Sequence, residues 1–529
     1  MSDLVFLDPK TKIEPLVAGW YAWTHLLAPA THAYNVVYRH LPLMQSFVQN
    51  PGLHIAALRN PANFGGPFVS LGADRVAEVR ELLAHTQRIC ARSIDFARHL
   101  KALDAKLQGT ATGYSMSALY ADLPEPLRGL VELVYDLSDH PKLRLEERLL
   151  WDEGLNQETQ SILLSLIPEG ERPFFISTPR LPSSEELRLP LAFTDARMDL
   201  LAAMRTRAQP FSSVCDALEV PVEEQGQLAR FFTRDAPPRR APRYAEEGVR
   251  VRYFGHACVL IETRDVSILL DPMVATELGE GDGRFTFCDL PDHIDYVVLS
   301  HGHQDHFNSE TLLQLRHRVG TVLVPHNHSG ALADPSMALM LANLGFRDVI
   351  TMDPFDEVAI PDGRITSLPF PGEHVDLDVY SRHGIHVAIK GRKIAFLVDS
   401  DGQDPHLFRR VARRVGKRLD VVFLGMECEG APLSWLYGPL LTRPISRRND
   451  ESRRLSGLNA ERAWNVVNEF DVGQAFVYAM GQEPWLKYIM GLTYTPESIQ
   501  MREVAAFLSR CQSASLEAKS LFISAEIHL

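Results

Sequence analysis

The sequence predicts an α/β unit of stacked sheets preceded by a separate α+β domain. Three observations carry this expectation. The chain has 529 residues, well beyond the roughly 250–300 at which single cores stop growing. A Pro- and Arg-rich stretch at 234–243 interrupts it, and Pro237, Pro238 and Pro242 block regular pairing there. Across that stretch the hydrophobic pattern changes, from mainly helical spacing to short β-rich runs alternating with helical segments. The expected division is residues 1–233, a linker at 234–247, and residues 248–529.

In the first part, Val76, Val79, Leu82, Leu83 and Ile89 fall at helical spacing within 75–107. Further helices are expected at 127–137 and 141–167, and short strands at 36–38 and 53–57. In the second part, strands are expected at 249–253, 258–262, 266–270, 296–299, 322–324, 386–389, 394–398 and 421–424. Helices at 309–317 and 405–415 sit between them, and from about 459 the chain again reads as helical.

Composition excludes some functions. A net charge of −13 is the wrong sign for a general nucleic-acid binder. No stretch approaches the roughly 20 apolar residues that span a bilayer, and the start of the chain lacks a secretory pattern. The six cysteines are scattered without a C-x-x-C pair, as expected of reduced thiols in a cytoplasmic protein.

The chemistry concentrates where an apolar strand at 295–300 runs into His301-Gly-His303-Gln-Asp305-His306. Three imidazoles and a carboxylate within six residues are hard to explain as packing. In an extended turn His301 and His303 can share one metal, and Asp305 and His306 can serve a second. With Gly255-His-Ala-Cys-Val-Leu-Ile-Glu262 and Leu270-Asp-Pro272 upstream, residues 249 to about 430 resemble the metallo-β-lactamase superfamily. That resemblance implies an αββα sandwich with a dinuclear site at one edge of its two sheets.

Hydrolases of that superfamily carry a fourth His after a Pro-Gly turn, a bridging Asp after a later strand, and a last His. Here Pro371-Gly372 is followed by Glu373, with His374 one place on and facing differently if the chain is extended. Asp399 ends an apolar run and fits the bridging role. Downstream of it the histidines are His406 and His528, neither in the expected place. The inferred set is His301, His303, Asp305, His306, Glu373 and Asp399, whose three carboxylates suit iron or manganese better than zinc.

This substitution pattern resembles the di-iron β-hydroxylases of nonribosomal peptide and antibiotic biosynthesis, which share the chain's length and a distinct N-terminal domain. The resemblance implies two iron ions held by those six residues, with Glu373 and Asp399 counted also as catalytic. It implies dioxygen as cosubstrate, electrons from an external donor protein, and hydroxylation of an amino acid tethered as a thioester to a peptidyl carrier domain. A homodimer is expected on the same ground, with the N-terminal domain as dimer contact or pocket cover. The alternative is a zinc- or manganese-dependent hydrolase of an ester, lactone or phosphodiester, which requires His374 in place of Glu373. A carrier-binding scaffold with a dead site is a third reading, opposed by the complete ligand set.

Other features carry weaker expectations. Residues 405–455 hold eleven Lys or Arg, including Arg409, Arg410, Arg413 and Arg414, against five acids. They could steer an acidic carrier, though a solvated helix face is the plainer reading. Glu427 and Glu429 are optional ligands or solvated acids, and Asp271 serves a turn or supports a metal-bound His. His256 reads as supporting or packing, and His326 and His328 as loop residues. Trp435, Tyr437 and Trp485 could wall a pocket, though aromatics are more often simply core and they are given no role.

Overall fold

The computed structural model describes residues 3–60, 63–64, 66–238, 243–278, 281–327, 330–491 and 493–529. His328 and part of the expected linker, 239–242, lie outside them. Two seven-stranded sheets form the second part of the chain. The first runs Val349–Met352, Val319–Pro325, Ile294–Val298, Ser267–Leu270, Val259–Glu262, Arg250–Tyr253 and Ala525–His528. The second runs Glu357–Ile360, Gly363–Leu368, Gly384–Ile389, Arg392–Phe396, Arg418–Gly425, Asp471–Tyr478 and Glu517–Ser520. Each is half parallel and half antiparallel.

The strands are apolar on both faces because both faces are covered. Between the sheets pack Val251, Ile261 and Val298 against Val387, Phe396 and Phe423. The outer face of the second sheet is covered by helices Pro405–Val415, Ala460–Val467 and Ile499–Ser513. The outer face of the first sheet joins one core with helix Ser309–Leu315 and the N-terminal part: Leu260, Leu269 and Leu312 share a cluster with Trp20, Phe47 and Phe193. The fold is the αββα sandwich, with its N-terminal partner packed directly onto it.

Several N-terminal expectations fail for local reasons. Residues 36–38 are a π-turn, Val36–His40, joining helices Pro29–Asn35 and Leu41–Gln49. Val36 is fully buried there, and tertiary packing overrides its strand preference. Residues 53–57 belong to helix Pro51–Ala57, opened by Asn50, whose Oδ1 accepts the Leu53 N–H at 3.1 Å. The expected helices at 127–137 and 141–167 are instead a hairpin of Val131–Tyr135 and Pro141–Leu145, then helix Glu147–Asp152 and strand Gln160–Ser165. The hairpin turn is tied by Asp136 Oδ1, which accepts the Ser138 and His140 N–H groups at 2.8 and 2.9 Å. The stretch 75–107 is helical but broken at Cys90 into Val76–Ile89 and Ala91–Thr110. The C-terminal part adds three strands to its helices, each an outer or near-outer strand of a sheet.

Candidate metal centre

The site forms where strand Ile294–Val298 leaves the first sheet. The next turn ends at Asn308, whose Oδ1 accepts the Thr311 N–H at 2.8 Å and starts helix Ser309–Leu315. Thr24 of the N-terminal part donates to the Gly302 carbonyl at 2.7 Å, pinning the turn from outside. From the second sheet come Glu373 and Asp399. Gly372 has φ +95°, and a Cβ there would lie 2.3 Å from Asp401 Cγ, so the turn presenting Glu373 requires glycine. Arg382 donates to the Gly372 carbonyl and fixes the turn from the other side.

The six predicted ligand residues converge. His303 Nδ1 lies 2.9 Å from Glu373 Oε2 and 3.2 Å from His301 Nε2. His306 Nε2 lies 2.9 Å from Asp399 Oδ2 and 3.6 Å from Asp305 Oδ2. Three overlapping donor groups result: His301 with His303 and Glu373; His301 with His306 and Asp399; and His256 with Asp305 and His306. His301 thus bridges groups that the sequence pattern kept apart. His256, which the sequence left as a supporting or packing residue, places Nε2 3.0 Å from Asp305 Oδ2.

The imidazoles are oriented from behind. Asp271 Oδ2 lies 2.9 Å from His306 Nδ1 and accepts the Ser300 hydroxyl at 2.6 Å. Ser300 Oγ in turn lies 3.0 Å from His301 Nδ1. One carboxylate therefore holds both Nδ1 protons in place, directly and through a hydroxyl, and leaves both Nε2 atoms facing inward. His303 is turned the other way, with Nε2 3.1 Å from the Tyr437 hydroxyl and Nδ1 facing inward.

Charge is strongly coupled here. Burial opposes a charged His306, but Asp399, Asp305 and Asp271 outweigh it and hold the imidazole well above its usual range. Burial likewise works against an ionised Asp305, yet His306 and His256 keep it below the usual carboxylate range. Burial pushes Glu373 up and His301 and His374 down.

These residues fit a metal pair. His306 Nε2, Glu373 Oε2 and Asp399 Oδ1 are buried and make no hydrogen bond of good geometry, a state that costs several kcal/mol unless something else coordinates them. Two donors about 2.1 Å from one ion and at right angles lie about 3 Å apart, the spacing seen between His303 and Glu373 and between His306 and Asp399. His374 is in none of the three groups; its Nδ1 lies 3.4 Å from Glu373 Oε2. Glu427 lines a small cavity together with His303, Asp305, Glu373 and Asp399 and accepts the Tyr494 hydroxyl, whereas Glu429 is half-exposed beside Arg454.

Residues 6–237 match the family model described as the diiron non-heme beta-hydroxylase N-terminal domain, and residues 250–403 match a beta-lactamase superfamily domain. A curated relative, the 4-amino-L-phenylalanyl-[CmlP-peptidyl-carrier-protein] 3-hydroxylase of Streptomyces venezuelae, is 33% identical over 489 residues, covering 91% of this chain and 92% of its own. The chain belongs to the diiron β-hydroxylase family. The crystal structure of CmlA, a diiron β-hydroxylase from Streptomyces venezuelae, matches with a TM-score of 0.92 at 30% identity, covering 100% of both chains. A mutant of the CmlA β-hydroxylase matches at 0.91 over 99% of this chain. Membership makes the cofactor a pair of irons and sets the hydrolase alternative aside.

Sequence reasoning gave no role to two further residues of this β-hydroxylase. Tyr437 contacts His303, and Trp435 stands in the wall of the cavity over the metal-facing atoms. Phe174, Phe175 and Ile489 belong to the same apolar wall. Among the described residues no helix is long and apolar enough to cross a membrane. All six cysteines are free thiols.

Proposed function

We propose that this β-hydroxylase acts on the β-carbon of an amino acid held as a thioester on a peptidyl carrier domain, with the irons held by His301, His303, Asp305, His306, Glu373 and Asp399. The observation that carries this reading is the convergence of donor atoms from those residues, with His306 Nε2, Glu373 Oε2 and Asp399 Oδ1 buried and unbonded, in a chain matching a carrier-dependent hydroxylase over nearly its whole length. When bound, the two irons would supply dioxygen activation, with O2, two electrons from an external donor protein and two protons giving an alcohol and water.

The chain's own residues create the conditions for it. Asp271 and Ser300 keep the Nδ1 protons of His306 and His301, so both rings offer Nε2. Tyr437 accepts the Nε2 proton of His303, so that ring offers Nδ1. Phe174, Phe175, Leu436 and Ile489 give the small cavity beside Glu373 and Asp399 an apolar wall, which limits water at an oxidising site. Burial pushes the Glu427 carboxyl up to about 8, and it accepts the Tyr494 hydroxyl as a hydrogen bond.

The test combines metal analysis with turnover. Protein grown with iron is expected to hold two irons per chain with the Mössbauer signature of a coupled pair. Once reduced, it is expected to hydroxylate a carrier-loaded amino acid in an O2-dependent reaction. Two zincs, with no reaction toward O2 after reduction, would defeat the reading.

A further inference from the structure

A second cavity lies beside the inner one. It encloses about 420 Å³, against about 40 Å³ for the inner cavity, which at roughly 10–15 Å³ each is room for a few waters. Ile176 and Trp435 line both cavities and so stand between them. The outer walls come from both parts of the chain, Tyr38, Leu43 and Ser46 on one side and Ser434 and Gly438 on the other. Arg39 joins the two sides: its guanidinium donates to Asn35 Oδ1 and to the Ser434 and Trp435 carbonyls.

We propose that this outer cavity receives the pantetheine arm of the carrier-bound substrate, and that Trp435 and Ile176 form the neck through which the arm delivers its aminoacyl end. The proposal rests on the carrier reading above and assigns it a route. A thioester tethered to a folded carrier must reach a buried centre while the carrier stays outside, which requires a narrow passage. The arm is a slender neutral chain carrying amides, a hydroxyl and methyl groups. The walls offer matching chemistry, with hydroxyls from Tyr38, Ser46 and Ser177 among the apolar surfaces of Leu43 and Ile176. Arg39 turns Nη1 and Nη2 to partners inside the protein, so the cavity suits the neutral pantetheine and leaves the arm's phosphate at the mouth.

The neck is closed in this structure. The Trp435 ring packs edge-on against Phe174, with centroids 6.3 Å apart. Both rings close on Gly491, where a Cβ would lie 2.7 Å from Phe174 and 3.4 Å from Trp435. An aminoacyl group exceeds the inner cavity as it stands, so Trp435 swings aside on entry.

Gly438 offers a clean plug. Its backbone is helical, with φ −47° and ψ −49°, and a Cβ there meets Ser434 Cβ at 3.6 Å, an ordinary contact. Gly438→Phe therefore fills the cavity without straining the chain, and Ser46→Phe plugs it from the opposite wall. The probe is the non-hydrolysable amide of phenylalanyl-pantetheine, titrated into the iron-loaded full chain by calorimetry, with iron content and Tm measured in parallel. The wild type is expected to bind it, and each plugged variant that keeps its iron and Tm to bind at least tenfold more weakly. Wild-type affinity in the plugged variants overturns the proposal. So does an unchanged kcat/KM for a carrier-loaded amino acid in them, which would leave the hydroxylase reading standing. A wild type that binds the probe but hydroxylates no member of a panel of carrier-loaded amino acids overturns that reading, and the proposal with it.

Discussion

The Tyr437 hydroxyl lies 3.1 Å from Nε2 of His303, whose Nδ1 lies 2.9 Å from Glu373 Oε2. The ring is held between a phenol and the metal-facing carboxylate, and with a metal on Nδ1 the Nε2 proton would go to the phenol oxygen. Tyr437→Phe keeps the ring's volume and removes that anchor. Loss of such a partner typically costs about 10- to 100-fold in metal affinity or activity. Iron titration of the variant is expected to show one weakened site, with Tm nearly unchanged; wild-type affinity at both sites would refute the role.

Asp271 governs the other two imidazoles, His306 directly and His301 through Ser300. Asp271→Ala is therefore expected to disturb both irons, and Ser300→Ala mainly the one nearer His301. The measurement is iron stoichiometry with Mössbauer spectra of each variant. A loss about 10-fold or more in affinity is expected for Asp271→Ala, and a full, normally coupled pair would contradict it.

Buried Arg172 bridges Glu14 of the N-terminal part and Glu310 of the helix that follows the metal turn, at 3.0 and 2.6 Å. Its guanidinium also sits 3.5 Å from the Tyr488 ring centroid. Burial alone would raise Glu14, but Arg172 and Arg180 hold it down at about 2. Arg172→Met strands one buried carboxylate and weakens the other, which costs about 3–5 kcal/mol. Urea unfolding is expected to show that loss; a change within about 0.5 kcal/mol would mean the pairing does not join the two parts energetically.

What could be read from the sequence follows the range of the interactions. His301 to His306 lie in one turn, so their clustering is local and visible. Glu373 and Asp399 announce themselves by a Pro-Gly turn and the end of an apolar run. The contacts of Tyr437 with His303 and of His256 with Asp305 span 134 and 49 residues and leave no periodic trace. The sheets of the second part were legible because continuous apolar runs suit strands buried on both faces. The N-terminal part was misread where short elements take their state from tertiary packing, as at Val36, or from a side-chain-tied turn, as at Asp136.

His386 and His32 give the protein a defined acid sensitivity. Both are buried with neither ring nitrogen hydrogen-bonded, and burial depresses each to about 4, with Lys393 and Arg364 adding to the effect at His386. Unfolded, each titrates near 6.5. Between about 6.5 and 4 the unfolded chain therefore binds protons that the folded chain refuses, and stability falls with pH at about 1.4 kcal/mol per unit for each ring. Above 6.5 the two states bind equally and the term vanishes. Glu14 acts in the same direction but only below about 4.5, so the window from 6 to 5 isolates the histidines from it. Acid also releases metal, so the comparison is between apo-proteins: urea unfolding of the wild type and His386→Leu at pH 7, 6 and 5. The variant is expected to lose less stability between pH 6 and 5, by about 1 kcal/mol; parallel curves would show that His386 is not buried as the neutral ring.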